Sequence, residues 1–257
     1  MTPGDIYGFK YRAQNRQGFG EFSDPVLIKA ADVPAQMIPV VITQEGLNIK
    51  LEWNVPDSGA QQILGYLVEV SNGHQEYFTL EECDGSDEQI RVNAWCHIQM
   101  ASLITKGITQ GTLIQARISA YNSLGFGIPS TLNVDGVLAQ TIPHKPAAAP
   151  VRGESTSSSQ IEVLYALLEG ELTGGISLTS LNLQWDKGTE GVEWESLIGE
   201  DPLSTSQVFT VTDDLVGGRS YNFRYRARNI FGWGPFSDYG TILAAKEPDQ
   251  LPPIVVE

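Results

Sequence analysis

Apolar and polar residues alternate through residues 221–229. The apolar positions are Tyr221, Phe223, Tyr225 and Ala227, and each is followed by Asn or Arg. A period of two is typical of a β-strand with one buried face and one wet face. The same alternation occurs in residues 7–13 and 114–120. The pattern therefore predicts three copies of one strand.

An Asn-x-x-Gly-x-Gly motif ends each copy. Its asparagines are Asn15, Asn122 and Asn229, and 122 − 15 and 229 − 122 both equal 107. A fixed period predicts an array of one folded unit. The 257 residues hold two whole units and further pieces, and each whole unit is long enough for its own core.

Other alternating or apolar stretches lie between the copies, and none has a helical period over three turns. About seven short strands per unit, separated by turn residues, predict an antiparallel sandwich. The strand candidates are residues 47–53, 63–70 and 75–80 before the second copy, and 160–167, 178–186, 192–198 and 207–212 before the third.

These residues resemble fibronectin type III domains. Trp53 resembles the tryptophan of that family's second strand, and residues 218–234 resemble its sixth strand, strand F, and the following loop. The resemblance implies an all-β fold of tandem antiparallel β-sandwiches of the fibronectin type III, immunoglobulin-like, type. It also implies that Tyr7 and Tyr221 form a tyrosine corner, a hydroxyl bonded back to the turn before strand F. The whole units depart from the pattern at Ile114 and Tyr165, which stand where the corner tyrosine and the tryptophan are expected.

The resemblance and the proline-bearing joints give four segments. Residues 1–33 are the last two strands, F and G, of a truncated unit. Residues 34–143 and 144–246 are complete units, and residues 247–257 are a linker with the first strand of a following unit. Proline stiffens short joints, so we expect a semi-rigid row of units.

Composition excludes several classes of partner. The formal net charge of −15 opposes binding to nucleic acid. No run of eighteen apolar residues predicts a membrane span in this segment, and residues 1–20 lack the apolar centre of a signal peptide. Since the repeat motif follows Met1 at once, we interpret Met1 as an internal residue or an introduced start, and we expect any secretion signal elsewhere.

The two cysteines, Cys83 and Cys96, lie in the middle unit. They flank an acidic turn between two strand-like runs, so the ends of a hairpin bring them together in a predicted disulfide; two free, partly buried thiols are the alternative. Closing this loop contributes about 3 kcal/mol on a loop-entropy model. The CDG...C pattern resembles fibronectin-like repeats in long surface proteins of ciliated protists. Both features indicate an extracellular or cell-surface location.

Candidate chemistry is sparse. Acidic residues beside Cys83 are one candidate for calcium, with Asp84, Asp87 and Glu88 as ligands, although acidic turns are more often only solvated. No histidine, serine or cysteine has the surroundings of a catalytic group. We therefore predict neither an enzyme nor a cofactor.

Two sets of residues on and after strand F are candidates for partner binding. A basic outward face suggests either pairing with carboxylates such as Glu69 or a sulfated or acidic glycan partner. One aromatic in each loop after strand F is either an exposed anchor or a ring folded back over the strand, where an arginine is the expected contact. The basic residues are Lys10, Arg12, Arg117, Arg224, Arg226 and Arg228, and the aromatic residues are Phe19, Phe126 and Trp233.

The sequence thus predicts a non-enzymatic extracellular array with a structural or adhesive role. Its expected partners are other copies or adjacent repeats, completing the terminal units head to tail in a fibre, with glycans or surface proteins as further candidates. Residues 232–238, GWGPFSD, have a likeness to the Trp-Ser motif of cytokine receptors. A ligand-binding receptor ectodomain is therefore one alternative, and a spacer of a secreted glycan-active enzyme is another.

Overall fold

The structure is a computed structural model that describes residues 1–73 and 76–246. It divides into two compact units, Met1–Ala139 and a second that begins at Gln140. The predicted first strand in residues 247–257 lies outside the described residues. The four predicted segments stay predictions, and residues 1–33 lie in the same compact unit as the first sandwich.

Unit 1 begins with a hairpin. The strands β1 (Ile6–Phe9) and β4 (Val26–Lys29) pair antiparallel, with Tyr7 opposite Ile28 and Phe9 opposite Val26. Nearer the tip, β2 (Gln14–Asn15) pairs with β3 (Gly18–Phe19). The alternation of the sequence is retained, so Tyr7, Phe9 and Ile28 lie on one face.

The sandwich of unit 1 packs two antiparallel sheets. One sheet has the order β5-β6-β9, and the other has the order β11-β10-β7-β8. The strands are β5 (Val41–Glu45), β6 (Asn48–Glu52), β7 (Gly65–Ser71), β8 (Tyr77–Phe78), β9 (Trp95–Gln99), β10 (Gln115–Asn122) and β11 (Gly125–Phe126).

Two short helices also occur in unit 1, and the sequence did not predict them. They are α1 (Glu88–Asn93) and α2 (Met100–Thr105), and a 3₁₀ turn covers Glu81–Cys83. Six residues make less than two turns, too few for a helical period to stand out. The Asp87 side chain begins α1 by accepting from the N–H groups of Gln89 and Ile90, as an N-cap does.

Unit 2 repeats the sandwich. Its sheets have the orders β12-β13-β16 and β15-β14-β17-β18, with β19 also paired to β17. A 3₁₀ turn covers Gly170–Thr173. The strands are β12 (Val151–Arg152), β13 (Ile161–Leu164), β14 (Ser180–Trp185), β15 (Glu195–Ile198), β16 (Val208–Val211), β17 (Ser220–Asn229), β18 (Gly232–Trp233) and β19 (Gly240–Leu243).

Each sandwich has its own apolar core. Trp53 follows β6 and packs against Tyr66, with ring centroids 5.2 Å apart. Tyr165 follows β13 in unit 2 and packs against Tyr225 at 5.3 Å. Tyr165 therefore fills the place of the tryptophan. The described chain is all-β in class, with antiparallel β-sandwiches as predicted.

Candidate functional site

The asparagine that ends β17 binds two separate loops. Asn229 is fully buried, and its Oδ1 accepts a hydrogen bond from the Phe231 N–H at 2.9 Å. Its Nδ2 donates to the carbonyl oxygen of Thr141 at 2.7 Å and to that of Thr173 at 3.0 Å. One side chain therefore joins the turn after β17, the segment that leads into the sandwich and the loop before β14.

Asn122, at the end of β10, makes the same three hydrogen bonds in unit 1. Its Oδ1 accepts from the Leu124 N–H at 2.9 Å. Its Nδ2 donates to the carbonyl oxygens of Asp32 at 2.7 Å and Ser58 at 3.0 Å. The repeated asparagine of the sequence is thus a repeated contact to the incoming linker.

The second glycine of each motif lies against the same linker. A Cβ at Gly127 would stand 2.3 Å from the Pro34 carbonyl oxygen, and one at Gly234 would stand 2.3 Å from that of Pro143. Side chains do not fit at this distance, so the close approach requires glycine. We call each asparagine and glycine pair the linker clamp: Asn122 with Gly127 in unit 1, and Asn229 with Gly234 in unit 2.

The first copy of the motif has the same turn. The Asn15 Oδ1 accepts from the Gln17 N–H at 2.9 Å, and Gly18 has a φ of 136°, in the left-handed region. A Cβ at Gly20 would meet only the Ala13 carbonyl oxygen, at 3.7 Å. Among the described residues, no linker segment lies against this copy.

The corner tyrosines bond to the backbone just before strand F. The Tyr221 hydroxyl accepts from the Val216 N–H at 2.7 Å, and the Tyr7 hydroxyl accepts from the Thr2 N–H at 2.9 Å. Both donors lie five residues before the tyrosine, which is the geometry of a tyrosine corner. Ile114 fills the corresponding place in the middle copy with a fully buried aliphatic side chain.

The Cys83–Cys96 disulfide is present, with Cα atoms 5.3 Å apart. The expectation that the ends of a hairpin bring these cysteines together was wrong. The 3₁₀ turn and α1 lie between them, and Cys96 lies on β9. The bond joins the 3₁₀ turn that precedes α1 to β9 of the first sheet.

The predicted calcium ligands are engaged in local hydrogen bonds. Asp84 accepts from the N–H and the hydroxyl of Ser86, and these bonds, the backbone one first, lower the pKa of Asp84. Asp87 caps α1, and Glu88 lies in its first turn. Over residues 1–73 and 76–246, no three His, Cys, Asp or Glu side chains gather as a metal site would need.

The three loop aromatics fold back on their own strand F. The Arg12 guanidinium lies 3.9 Å from the centroid of the Phe19 ring, and that of Arg226 lies 4.7 Å from the Trp233 ring. Phe126 packs on Tyr121 at 5.0 Å. Phe19 and Phe126 keep more than half of their surface exposed.

Unit 2 extends this contact into a ladder of alternating arginines and aromatic rings. Arg224 lies between Trp194 and Phe236, at 4.0 and 4.1 Å. Arg226 lies between Phe236, at 4.4 Å, and Trp233. The Arg228 guanidinium lies 5.8 Å from the centroid of the Trp233 ring. We call these residues together the arginine ladder: Arg224, Arg226 and Arg228 with Trp194, Trp233 and Phe236. Sequence reasoning missed Trp194 and Phe236, although Trp194 lies within a strand candidate, residues 192–198.

Charge compensation differs between the units. Arg117 pairs with both Glu69 oxygens, at 2.8 and 3.1 Å, and lies 3.7 Å from the Tyr77 ring. The bond to Glu69 raises the pKa of Arg117. In unit 2, Arg224 donates instead to the neutral Gln184.

Within the ladder one arginine meets a carboxylate, Arg226 with Glu200 at 3.3 Å. Burial, followed by the charge of Arg226, lowers the pKa of Arg224. Among the described residues, the three arginines of the ladder share one carboxylate partner, Glu200, whereas Arg117 of unit 1 is matched by Glu69. The ladder is therefore more cationic than the same face of unit 1. Lys10 is exposed on the hairpin.

Comparisons with known proteins give similarity over nearly the whole chain, and no family model matches. The chain is 25% identical to rat neogenin over 93% of its length. It is 27% identical to chicken fibronectin type-III domain-containing protein 3a over 98% of its length, and 26% identical to the human netrin receptor DCC over 94%. It spans only 15% to 19% of the length of these relatives.

These similarities support fibronectin type III repeats in this chain, and one of the three relatives is named as a receptor. None of the three relatives is named as an enzyme. Among the helices of the described chain, none has the length and apolar character needed to cross a membrane.

Proposed function

We propose that this chain is part of a non-enzymatic extracellular array of fibronectin type III repeats with a structural or adhesive role. Other copies, or adjacent repeats of a longer polypeptide, would be its partners, joined head to tail. The observation that carries this proposal is the apolar face of the hairpin in unit 1.

The hairpin has the sequence and register of strands from a sandwich core, but no facing sheet among the described residues buries its apolar side chains. Phe9, Tyr11 and Ile28 are 47%, 77% and 53% exposed. Their equivalents 214 residues later are Phe223, Tyr225 and Ile242, with exposures of 0%, 2% and 2%. In unit 2 these side chains are covered by the facing sheet of the sandwich. Strands of another repeat would cover the hairpin in the same way.

Burying this face is favourable by roughly 1 kcal/mol for each half-exposed apolar side chain. A contact between unlike surfaces of successive copies extends into a row when its rotation does not close a ring. The linker clamp supports the same function. It binds the incoming segment to its sandwich and so shortens the free part of each joint.

Sedimentation velocity over a range of protein concentrations tests the proposal. We expect the average mass to rise with concentration, and Phe9→Glu to suppress the rise because it places a charge on the apolar face. Leu27→Glu is the matched control, since Leu27 lies on the opposite face and is already exposed. A compact monomer at every concentration would contradict the fibre.

A receptor ectodomain is the second candidate, and two observations favour it. One relative is named a netrin receptor, and two rings of the arginine ladder, Trp233 and Phe236, belong to the GWGPFSD segment that resembles the Trp-Ser motif. A glycan or surface-protein ligand on the cationic ladder would belong to this function. The resemblance of the CDG...C pattern to surface proteins of ciliated protists stays a prediction, as does the spacer of a glycan-active enzyme.

A further inference from the structure

One stretch of strand edge in unit 1 is left without a neighbouring strand. On that edge of β7, Val70 pairs with Phe78 of β8, and the Tyr66 N–H donates to the Gly85 carbonyl oxygen at 3.1 Å. Val68 lies between these two contacts and is 3% exposed.

The Val68 backbone groups point away from β10. Val68 stands opposite Ile118, but the Ile118 N–H donates to the Ser130 hydroxyl and its carbonyl accepts from the Ser130 N–H. The pair is thus of the non-hydrogen-bonded kind, so the Val68 N–H and C=O face the other edge. No hydrogen bond joins them to a residue of the described chain. Buried backbone groups need partners.

Unit 2 shows what occupies this position when the sandwich is complete. Ile118 and Tyr225 are 107 residues apart, and Tyr225 stands opposite Leu183 of β14. Leu183 is therefore the equivalent of Val68, and it pairs with Ile198 of β15. In unit 1 the chain departs from β7 after Phe78 and enters the 3₁₀ turn and α1. Val68 therefore lacks the extended strand that β15 provides for Leu183.

A groove of about 840 Å³ lies along this edge, between β7, the wall of residues 79–85 and α2. We call it the edge groove. Tyr66 and Val68 line one side, and the disulfide of Cys83 fixes the opposite wall. The charged residues of its lining are three carboxylates, Glu81, Glu82 and Asp84, and one cation, Lys106.

We propose that the edge groove binds an extended peptide segment with a basic side chain. The peptide backbone pairs with the N–H and C=O of Val68, as in the addition of a strand to a sheet edge. Its lysine or arginine side chain meets the carboxylates of the wall. Ser102 and Ser86 donate to the Glu82 and Asp84 carboxylates, whereas the Glu81 carboxylate makes no hydrogen bond or ion pair with the described residues.

The test uses the ¹⁵N-labelled protein and short blocked peptides. The probe is acetyl-Val-Lys-Val-amide, and the matched control is acetyl-Val-Glu-Val-amide. We expect the lysine peptide to shift the Val68 amide signal in a saturable way at millimolar concentration, because one strand position and one ion pair carry the contact. We expect the glutamate peptide to leave the signal in place. N-methylation of the lysine backbone amide should abolish the shift, because it removes the N–H that donates to the Val68 carbonyl oxygen.

Two variants separate the charge from the fold. Glu81→Gln should weaken the lysine peptide roughly three- to fivefold, the size of one partly exposed ion pair. Glu88→Gln, on α1 outside the groove lining, should change nothing. A Val68 signal unmoved by the lysine peptide, or moved equally by both peptides, would overturn the proposal.

Discussion

Two tyrosines in the core of unit 2 allow the same atom to be removed from opposite environments. The Tyr221 hydroxyl accepts the Val216 N–H at 2.7 Å. The Tyr165 hydroxyl is buried with no hydrogen-bond partner among residues 1–73 and 76–246. Tyr221→Phe and Tyr165→Phe each delete one hydroxyl oxygen and leave the ring. Their effects on the free energy of unfolding should therefore differ in sign or in size because of the hydrogen bond alone.

The structure sets the expected magnitudes. Tyr221→Phe removes the hydrogen bond from the Val216 N–H and the longer one that the hydroxyl donates to the Asp214 carbonyl oxygen at 3.5 Å. Because the Val216 N–H is left near solvent, the variant should cost about 1 to 2 kcal/mol. Tyr165→Phe removes a buried hydroxyl that has lost its water and gained no partner. That variant should be neutral or more stable than the wild type by up to about 1 kcal/mol.

Urea unfolding, followed through NMR signals of unit 2 residues, measures both changes without a contribution from unit 1. Equal dependence on urea in the wild type and the variants would show that the same surface is exposed on unfolding. The reasoning would be refuted if Tyr165→Phe destabilised unit 2 as much as Tyr221→Phe, or if Tyr221→Phe changed nothing.

Two further predictions concern pH and the linker clamp. Burial raises the pKa of Tyr165 to about 12 from 10.0, so the unfolded chain releases this proton first and stability falls as pH rises from 10 towards 12. Tyr165→Phe should lose less stability than wild type over pH 9 to 11 in urea titrations, and parallel losses would exclude this group as a cause. Asn229→Ala removes three hydrogen bonds from a buried position and should cost roughly 2 to 4 kcal/mol. Asn48→Ala, in an exposed strand position, is the control, and a similar small loss in both would count against the clamp.

Much of the fold follows from local pattern. Each of the seven strand candidates overlaps a strand, including 47–53 with β6 and 178–186 with β14. A period of two needs only that one face of a sheet is buried, so it is written in successive residues. The repeated positions of Asn122 and Asn229 could also be predicted from the sequence, because a 107-residue period is visible without any knowledge of contacts.

The contacts of those residues were decided by tertiary structure. The sequence does not show that Asn229 binds Thr141, 88 residues earlier, or that Trp194 stacks on Arg224. Both depend on strand register and on the path of loops, which bring distant residues together.

The clearest case is the pair Val68 and Leu183. Both lie in apolar strands that the sequence predicted, and both stand opposite strand F. Only Leu183 gains a neighbour on its other edge. The sequence by itself determined the strands that hold Val68 and Leu183, because alternation is a property of the chain. The neighbours of each edge were left to the tertiary structure, because a backbone hydrogen bond is available to any residue and carries no side-chain signature.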